Sequence, residues 1–240
     1  MCVIFLAYRH SAESPLVLLA NRDEFFDRPT LPAASWEDHP HVFGGRDLAA
    51  GGTWLAVSNS GRIAAVTNYR GPRGQVGTRS RGKLVSDFVS GVSGARDYLS
   101  EIESRKAEYS GFNLLVGEFR EDRSELFYFS NRASGIKSLS PGLYGLSNHL
   151  LDSPWPKVSN GKAMLSEILG NGMESESMFD LLGDRDPASD EELPDTGIGL
   201  ERERALSPIF IATPNYGTRC STVVIADHRG GFEFEERVFV

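Results

Sequence analysis

Apolar residues in this chain form short continuous runs near both ends, with two amphipathic blocks between them. Continuous apolar runs of this length are typical of strands that are buried on both faces. Seven runs predict strands, over residues 2–8, 15–21, 53–58, 62–68, 206–211, 221–226 and 231–239. The short turns at 59–61 and 227–231 predict two hairpins, because a tight turn between strands joins antiparallel neighbours.

The middle of the chain alternates between helical and strand patterns. Apolar positions such as Leu84, Phe88 and Val92 share one face of a helix. The pattern predicts, in order, that helix, a second helix over 94–107, strands over 112–119, 124–130 and 142–147, and a helix beginning near Pro154 and Pro156. Residues 183–205 are acidic and mixed in charge and predict an exposed excursion. Grouped helices with buried antiparallel sheets indicate an α+β fold, layered with the helices outside stacked sheets.

Length and composition restrict the classes of protein that fit. The chain has 240 residues, of which 40% are hydrophobic and 24% are charged, so one domain spanning 1–240 is expected. The net charge of −8 disfavours a nucleic-acid partner. No apolar stretch approaches the ~20 residues of a bilayer-crossing helix, and no basic leader precedes residue 10. A cytoplasmic protein without membrane insertion is the expectation, and its oligomeric state stays open.

Cys2 is the first candidate for chemistry. Removal of Met1 would expose a residue that carries both a thiol and an α-amine, and an amine with a pKa of ~7.7 to 8.0 can act as a base. The alternative is a small apolar residue that opens a buried strand. Cys220 is the only other cysteine, which excludes a cysteine-rich zinc site or a disulfide scaffold, although a redox link between the two thiols stays open.

A polar cluster ends the second apolar run at Asn21, Arg22, Asp23 and Glu24. The simplest explanation is that the strand reaches solvent here. If this strand pairs with the strand of Cys2, however, the cluster lies near the start of the chain. A carboxylate there could hold an α-ammonium, and an arginine there could lower the pKa of a thiol.

Three more polar residues flank predicted strands. Asn68 and Asn148 follow buried runs, where a side-chain amide can donate to an oxyanion or simply begin a turn. Arg219 precedes the run at 221–226, where it could orient a thiolate, bind a carboxylate, or form a surface ion pair. The five histidines lack ligand spacing, so neither a metal site nor a cofactor is expected.

Ordered stretches along nearly the whole chain resemble the family named for its Asn-Arg-Asp-Glu motif, which includes the transport and Golgi organisation type 2 proteins. The stretches that carry the resemblance are MCVIF, LLANRDEFFDRP, GGTWLAVSNSGRIAAVTNYR, SRGKLVSDFV, YSGFNLLVG, GLYGLSNHLLDSPWPKV, LSPIFI and YGTRCSTVVI. The resemblance extends to the N-terminal nucleophile hydrolase superfamily and, within it, to the bile salt hydrolase and penicillin V acylase group. It implies a four-layer αββα sandwich with two stacked antiparallel sheets.

The same resemblance implies roles for six residues. Cys2 would be the nucleophile, Arg22 and Asp23 would set its thiol and amine, Asn68 and Asn148 would line the oxyanion site, and Arg219 would sit beside them. The acylase motif spaces its arginine differently, so either Asn21 or Arg22 takes the place of that arginine.

Two classes of function follow from these residues. The first is a Cys-dependent amidohydrolase or acyltransferase acting on an N-acyl or related carbonyl substrate. The alternative is a non-enzymatic binding or trafficking protein for haem or another apolar small molecule, with Cys2 or a histidine on the iron. A structural scaffold ranks below both, because the sequence contains no coiled coil or low-complexity arm.

Overall fold

Two antiparallel sheets form the centre of the molecule in the computed structural model, which describes residues 2–71 and 76–240. The strands are β1 (Cys2–Tyr8), β2 (Leu16–Phe25), β3 (Thr30–Ser35), β4 (Val42–Asp47), β5 (Leu55–Ser58), β6 (Arg62–Asn68), β7 (Phe112–Arg120), β8 (Arg123–Ser130), β9 (Lys137–Ser138), β10 (Gly142–Leu146), β11 (Tyr216–Ala226) and β12 (Phe232–Val238). The α-helices are α1 (Gly82–Ser90), α2 (Ala95–Ser104), α3 (Pro156–Gly170), α4 (Ser175–Leu182) and α5 (Leu200–Ala205). None of the helices in these ranges is long and apolar enough to cross a bilayer.

The five-stranded sheet has the order β10-β1-β2-β11-β12, and the seven-stranded sheet has the order β3-β4-β5-β6-β7-β8-β9. Three buried clusters of side chains separate the layers. One lies between the two sheets, a second joins the seven-stranded sheet to α1 and α2, and a third joins the five-stranded sheet to α3 and α4. The order of layers is therefore helix, sheet, sheet, helix, and the four-layer αββα prediction is confirmed.

Most of the predicted elements are present. The hairpins at 53–68 and 221–239 are β5–β6 and β11–β12, and the helical pattern around Leu84 is α1. The sequence pattern missed β3, β4, β9 and α4, which are two to eight residues long and leave a periodic pattern little length in which to appear. The excursion at 183–205 is not wholly exposed, because α5 lies inside it and buries Glu203.

The prediction that the polar cluster ends its strand is wrong. β2 continues through residues 21–24 to Phe25 and is the middle strand of its sheet, so Asn21 and Asp23 are each only 1% exposed. A central strand satisfies its backbone groups through both neighbours, here β1 and β11. The cluster is therefore held within the sheet, and its side chains need partners from elsewhere in the fold.

The prediction of a strand over 206–211 is also wrong. This segment is irregular, and both backbone and side-chain groups of other segments bond to it in place of a regular ladder. Asn21 donates to the carbonyl of Ile209 at 3.0 Å, and Thr218 Oγ1 accepts from the amide of Ile211 at 2.9 Å. Ile209, Phe210 and Ile211 are buried, which explains why the pattern of this segment looks like that of a strand.

Candidate active site

A cavity of about 260 Å³ opens at the end of the sandwich where β1 begins and where β2 and β6 end. We call it the polar cavity. Its wall includes Cys2, Arg22, Asp23, Arg28, Asn68 and Arg81. Four of the six candidate residues thus contribute to one site: Cys2 from β1, Arg22 and Asp23 from the next strand β2, and Asn68 from β6.

Cys2 pairs with Arg22 across β1 and β2, and Arg22 pairs with Cys220 across β2 and β11. Residues directly opposite each other in antiparallel strands project from the same face, so Arg22 lies between the two thiols. Two strand spacings of about 4.8 Å place the Cα atoms roughly 9.6 Å apart. A disulfide needs Cα atoms within about 7 Å, so a direct link between Cys2 and Cys220 does not fit this fold.

Arg22 is only 5% exposed, and its guanidinium stacks on Trp54 at 4.0 Å from the ring centroid. Its nearest carboxylate is Asp47, with 3.8 Å between Arg22 Nη2 and Asp47 Oδ2. Burial alone would raise the pKa of Asp47, but a hydrogen bond of 2.8 Å from Arg28 holds that pKa below its usual range. Arg28 therefore takes the stronger contact with Asp47, and the charge of Arg22 stays directed toward the polar cavity.

Cys2 is half-buried in the wall of this cavity. Burial raises the pKa of its thiol, and the charge of Asp23 raises it further, whereas the charge of Arg22 lowers it. The thiol therefore needs a base or a cation before it can act as a nucleophile at neutral pH.

Asp23 lies next to Cys2 with its carboxyl inside the protein. Thr218 Oγ1 donates to Asp23 Oδ1 at 2.7 Å, and the Tyr216 hydroxyl donates to the Asp23 carbonyl at 3.0 Å. Burial raises the pKa of the Asp23 carboxyl, and the charge of Lys157 opposes that rise. Asp23 is thus a carboxyl group whose ionisation depends on nearby positive charge.

A β-bulge in β11 allows these contacts. Thr218 pairs with Asp23 and Cys220 pairs with Arg22, so Arg219 is an extra residue in β11. Arg22 and Asp23 are neighbours in β2 and therefore face opposite sides of the sheet. Their partners Cys220 and Thr218 also face opposite sides, although they are two positions apart in β11. One reaches Asp23 and the other lies beside Arg22.

Asn68 ends β6, while Asn148 lies two residues beyond the end of β10. Asn148 Nδ2 donates to the carbonyl of Asn68 at 3.0 Å, and the Arg70 amide donates to the carbonyl of Asn148 at 2.5 Å. Asn148 thereby ties the two chain segments together. The side chain of Asn68 lines the polar cavity and has no hydrogen bond to the rest of the described chain, so it is the amide available to a ligand.

Arg219 is not brought to the polar cavity. Its guanidinium donates to the carbonyls of Phe25 at 3.0 Å and of Arg28, and it lines a separate space of about 50 Å³ near the C-terminal residues. Arg219 thus fixes the turn after β2. Met1, whose removal the nucleophile hypothesis requires, lies outside the described residues.

Sequence reasoning missed Arg81 and its neighbours Arg79 and Ser80 at the start of α1. Arg81 Nη1 donates to the carbonyl of Gly111 at 3.0 Å, and burial lowers the pKa of its guanidinium. The sequence did contain a signal for these residues. Cations are unfavourable at the N-terminus of a helix, yet two arginines precede α1 and its first turn has no acidic residue. Arg79, Arg81, Arg22 and Arg28 give the cavity wall four guanidinium groups, which lie in the same wall as the carboxyl groups of Asp23, Glu24 and Asp47.

A second cavity of about 540 Å³ adjoins the first, and we call it the apolar cavity. Its wall includes Phe25, Ala205, Leu206 and Tyr216, and it shares Glu24 and Asn68 with the polar cavity. A molecule with a polar centre near Cys2 could therefore extend an apolar part past Asn68. Within residues 2–71 and 76–240, no group of three or more His, Cys, Asp or Glu side chains is arranged to hold a metal ion.

Substitution of Arg22 with methionine should slow alkylation of Cys2 by iodoacetamide at pH 7 by about threefold, because the pKa of the thiol rises when the adjacent cation is lost. The rate is measured by intact mass against time. Arg22→Lys keeps the charge and should stay close to the wild-type rate. An unchanged rate in Arg22→Met, with a native circular dichroism spectrum, would show that Arg22 does not act on the thiol.

The chain matches, over residues 1–240, the model of the family described as Transport and Golgi organisation 2. It is 34% identical over 255 residues to the Transport and Golgi organization protein 2 homolog of Bos taurus, covering 99% of this chain and 92% of that protein. It is 32% identical over 265 residues to Transport and Golgi organization protein 2 of Drosophila melanogaster, covering 98% and 91%.

Two solved structures with very different sequences share the fold. A Caenorhabditis elegans ortholog of N-acylethanolamine-hydrolyzing acid amidase superposes with a TM-score of 0.56 at 10% identity and covers 100% of both chains. A C2A mutant of conjugated bile acid hydrolase from Clostridium perfringens superposes with a TM-score of 0.52 at 8% identity, covering 100% of this chain and 97% of that one. The implied N-terminal nucleophile hydrolase fold is confirmed by this likeness.

Proposed function

Because this chain belongs to the Transport and Golgi organisation 2 family and has a cysteine beside paired polar and apolar cavities, we propose that it is a Cys-dependent amidohydrolase or acyltransferase. Its substrate is an N-acyl or related carbonyl compound. The observation that carries the proposal is that Cys2 and Asn68 line one cavity while Asn68 also lines the apolar one. An acyl chain in the apolar cavity would bring its carbonyl toward the thiol. The two solved relatives in fold are, by name, a hydrolase of N-acylethanolamines and a hydrolase of conjugated bile acids.

The reaction begins with Cys2 after Met1 has been removed. The α-amine takes the thiol proton, and the thiolate attacks the carbonyl carbon to form a C–S bond and an oxyanion. The Asn68 amide donates a hydrogen bond to that oxyanion. The C–N bond then breaks, the leaving amine takes the proton from the α-ammonium, and a thioester remains. Water, or an acceptor nucleophile in an acyltransferase, releases the acyl group and restores the thiol.

The other residues of the site prepare these groups. Arg22 lowers the pKa of the thiol, and the Asp23 carboxylate orients the α-amine. Asn148 Nδ2 donates a hydrogen bond of 3.0 Å to the backbone carbonyl of Asn68 and so fixes the direction of the Asn68 side chain. Arg219 acts at a distance, through the turn that follows β2.

The proposal is tested by intact-mass analysis of the purified protein during reaction with N-acyl glycines and N-acyl ethanolamines of several chain lengths. We expect a chain that begins at Cys2, an acyl adduct mapped to Cys2 in the first turnover, and release of the free fatty acid. Retention of Met1 in protein that is active, or turnover without an adduct under acid quench, would contradict the mechanism.

A second function is favoured by the apolar cavity alone, namely non-enzymatic binding or trafficking of haem or another apolar small molecule. The residues found in the wall of that cavity include no cysteine or histidine, so the side chains in the two walls that could ligate haem iron are Tyr216 and, in the polar cavity, Cys2. Titration with haem, followed by its Soret band, tests this function. Saturable binding that disappears in Cys2→Ala supports it, and a lack of saturation removes it.

A further inference from the structure

Part of the wall of the apolar cavity belongs to a segment with little hydrophobic support. Arg202, Ala205 and Leu206 in this wall come from α5 and the residue after it. α5 lies in the excursion at 183–205, all of which the structure describes, and no apolar side chain of that excursion is buried. Its one buried residue is the charged Glu203, which is 3% exposed. Since the hydrophobic core does not hold this segment, its position depends on polar contacts.

Glu203 makes contacts in two directions. Its Oε2 lies 3.1 Å from Arg70 Nη2, and the side chain of Arg70 is only 10% exposed. Its Oε1 accepts a hydrogen bond of 3.0 Å from the backbone amide of Thr196 and another from the Thr196 hydroxyl. One carboxylate therefore fixes both α5 and the loop that precedes it.

Arg70 is held in turn by the part of the fold that carries the candidate site. Its guanidinium stacks on Trp155 at 4.6 Å from the ring centroid, and its backbone amide donates to the carbonyl of Asn148 at 2.5 Å. Within residues 2–71 and 76–240, the buried Nε and Nη1 of Arg70 have no hydrogen-bond partner, so Glu203 is the group that balances this charge. The ion pair thus connects the wall of the apolar cavity to the segment that follows Asn68.

A second cation holds the end of the same wall. The buried Lys157 Nζ donates to the carbonyl of Leu206 at 2.7 Å and to the carbonyl of Pro208 at 3.3 Å. The wall is therefore fixed at Glu203 and again at Leu206. Of these two contacts, the one at Glu203 lies within α5 and also orders the loop before it.

We propose that Arg70 and Glu203 are a positioning pair that holds α5 against an acyl chain in the apolar cavity and thereby determines which acyl lengths the protein selects. The presence of an acyl chain in this cavity rests on the proposed function, whereas the hold of Arg70 on α5 does not. With the pair intact, each added methylene meets a fixed wall, and burial of one methylene raises affinity about fourfold. With the pair broken, α5 moves outward and the added methylenes stay partly in water.

Hydrogen exchange followed by mass spectrometry measures the hold directly, in the peptides that cover residues 194–206. Glu203→Gln removes the charge and keeps the shape of the side chain, and we expect exchange in these peptides to become about tenfold faster. Glu118→Gln is the matched control, because Glu118 forms another buried ion pair, 3.4 Å from Arg62, and is in the wall of neither cavity. The control should leave exchange at 194–206 unchanged. No increase in Glu203→Gln, or an equal increase in both variants, would overturn the proposal.

Calorimetric titration with octanoate, laurate and palmitate measures the selection of acyl length. Wild type should gain about fourfold in affinity for each methylene, up to the length that fills the cavity, and Glu203→Gln should gain less than about twofold. The double variant Arg70→Met/Glu203→Gln leaves no unpaired buried charge, so its stability should recover toward wild type. Its gain for each methylene should stay low, because the wall is still released. Recovery of the gain together with stability would assign the pair a structural role alone and overturn the proposal.

A wild-type measurement keeps the test independent of the folding of the variants. Saturating laurate should slow exchange at 194–206, because its chain packs against Ala205 and Leu206. Unchanged exchange at saturation, or a lack of saturable binding of all three fatty acids, would overturn the proposal. In turnover, Glu203→Gln should raise KM for N-palmitoyl glycine by about tenfold and leave kcat within about twofold of wild type. If no N-acyl compound is turned over, the proposed function fails, while exchange and the fatty-acid titrations still decide the role of Arg70 and Glu203.

Discussion

Replacement of Cys2 with alanine is expected to reduce turnover of N-acyl amides by at least about 10³-fold, since no other thiol can reach the carbonyl in the polar cavity. The free energy of unfolding should change by less than about 1 kcal/mol, because Cys2 is half-buried at a cavity wall and alanine leaves no enclosed void. Steady-state kinetics and urea denaturation measure the two quantities on the same preparation.

Cys220→Ala is the matched control for that substitution. Cys220 lies on the same face of the sheet beyond Arg22, and burial together with Glu236 raises the pKa of its thiol well above the ordinary value. The control variant should keep most of its turnover. Full activity in Cys2→Ala, or an equal loss in both variants, would assign the chemistry to another group.

Substitution of Gly161 with valine is expected to destabilise the protein by about 3 kcal/mol through overpacking. A Cβ atom at Gly161 would lie 2.2 Å from Cζ of Phe5, and Phe5 is fully buried in β1, the strand that begins at Cys2. Relief of the clash requires α3 to move away from β1.

Asn160→Ala is the neighbouring control, since Asn160 is exposed on the same helix and should change stability by less than about 0.5 kcal/mol. The difference in the free energy of unfolding is obtained from the urea midpoints of the two variants, with the slope of that free energy against urea concentration unchanged. An unchanged midpoint in Gly161→Val would mean that Phe5 can leave the helix interface without cost, which its burial argues against.

Local patterns were sufficient for much of the fold. Leu84 and Phe88 lie on the face of α1 that packs against the seven-stranded sheet, so their spacing indicates a helix. The turn at 59–61 is short, so it joins β5 and β6 as antiparallel neighbours. These features depend on neighbours in sequence, and therefore the sequence reveals them. The patterns suggested helices outside stacked sheets, and the family resemblance supplied the four-layer αββα order.

The position of the polar cluster could not be derived in the same way. Asn21 remains inside a central strand because the carbonyls of Leu182 and Ile209 accept its amide at 2.8 and 3.0 Å and Ser221 Oγ donates to its side-chain oxygen at 2.6 Å. Every one of these partners is more than 150 residues away. Without them, burial of Asn21 would leave unsatisfied polar groups, which is why a strand end looked more reasonable.

The candidate site was predicted in part for a similar reason. Cys2, Arg22 and Asn68 were found because each stands beside an apolar run, and the structure brings them to one cavity. Arg81 was overlooked because its surroundings depend on Gly111 and on the direction of α1. Arg219 was assigned to the cavity although its guanidinium points to the turn after β2.

The extra residue in β11 makes the length of this strand as important as its composition. Loss of one residue at the bulge would exchange the faces of everything on one side of it, so either Thr218 would leave Asp23 or Cys220 and the apolar residues after it would turn out of the core. A substitution at Arg219 keeps the number of residues in β11, whereas the deletion of one residue does not. The number of residues between Tyr216 and Ser221 is therefore a constraint on this segment in addition to their identities.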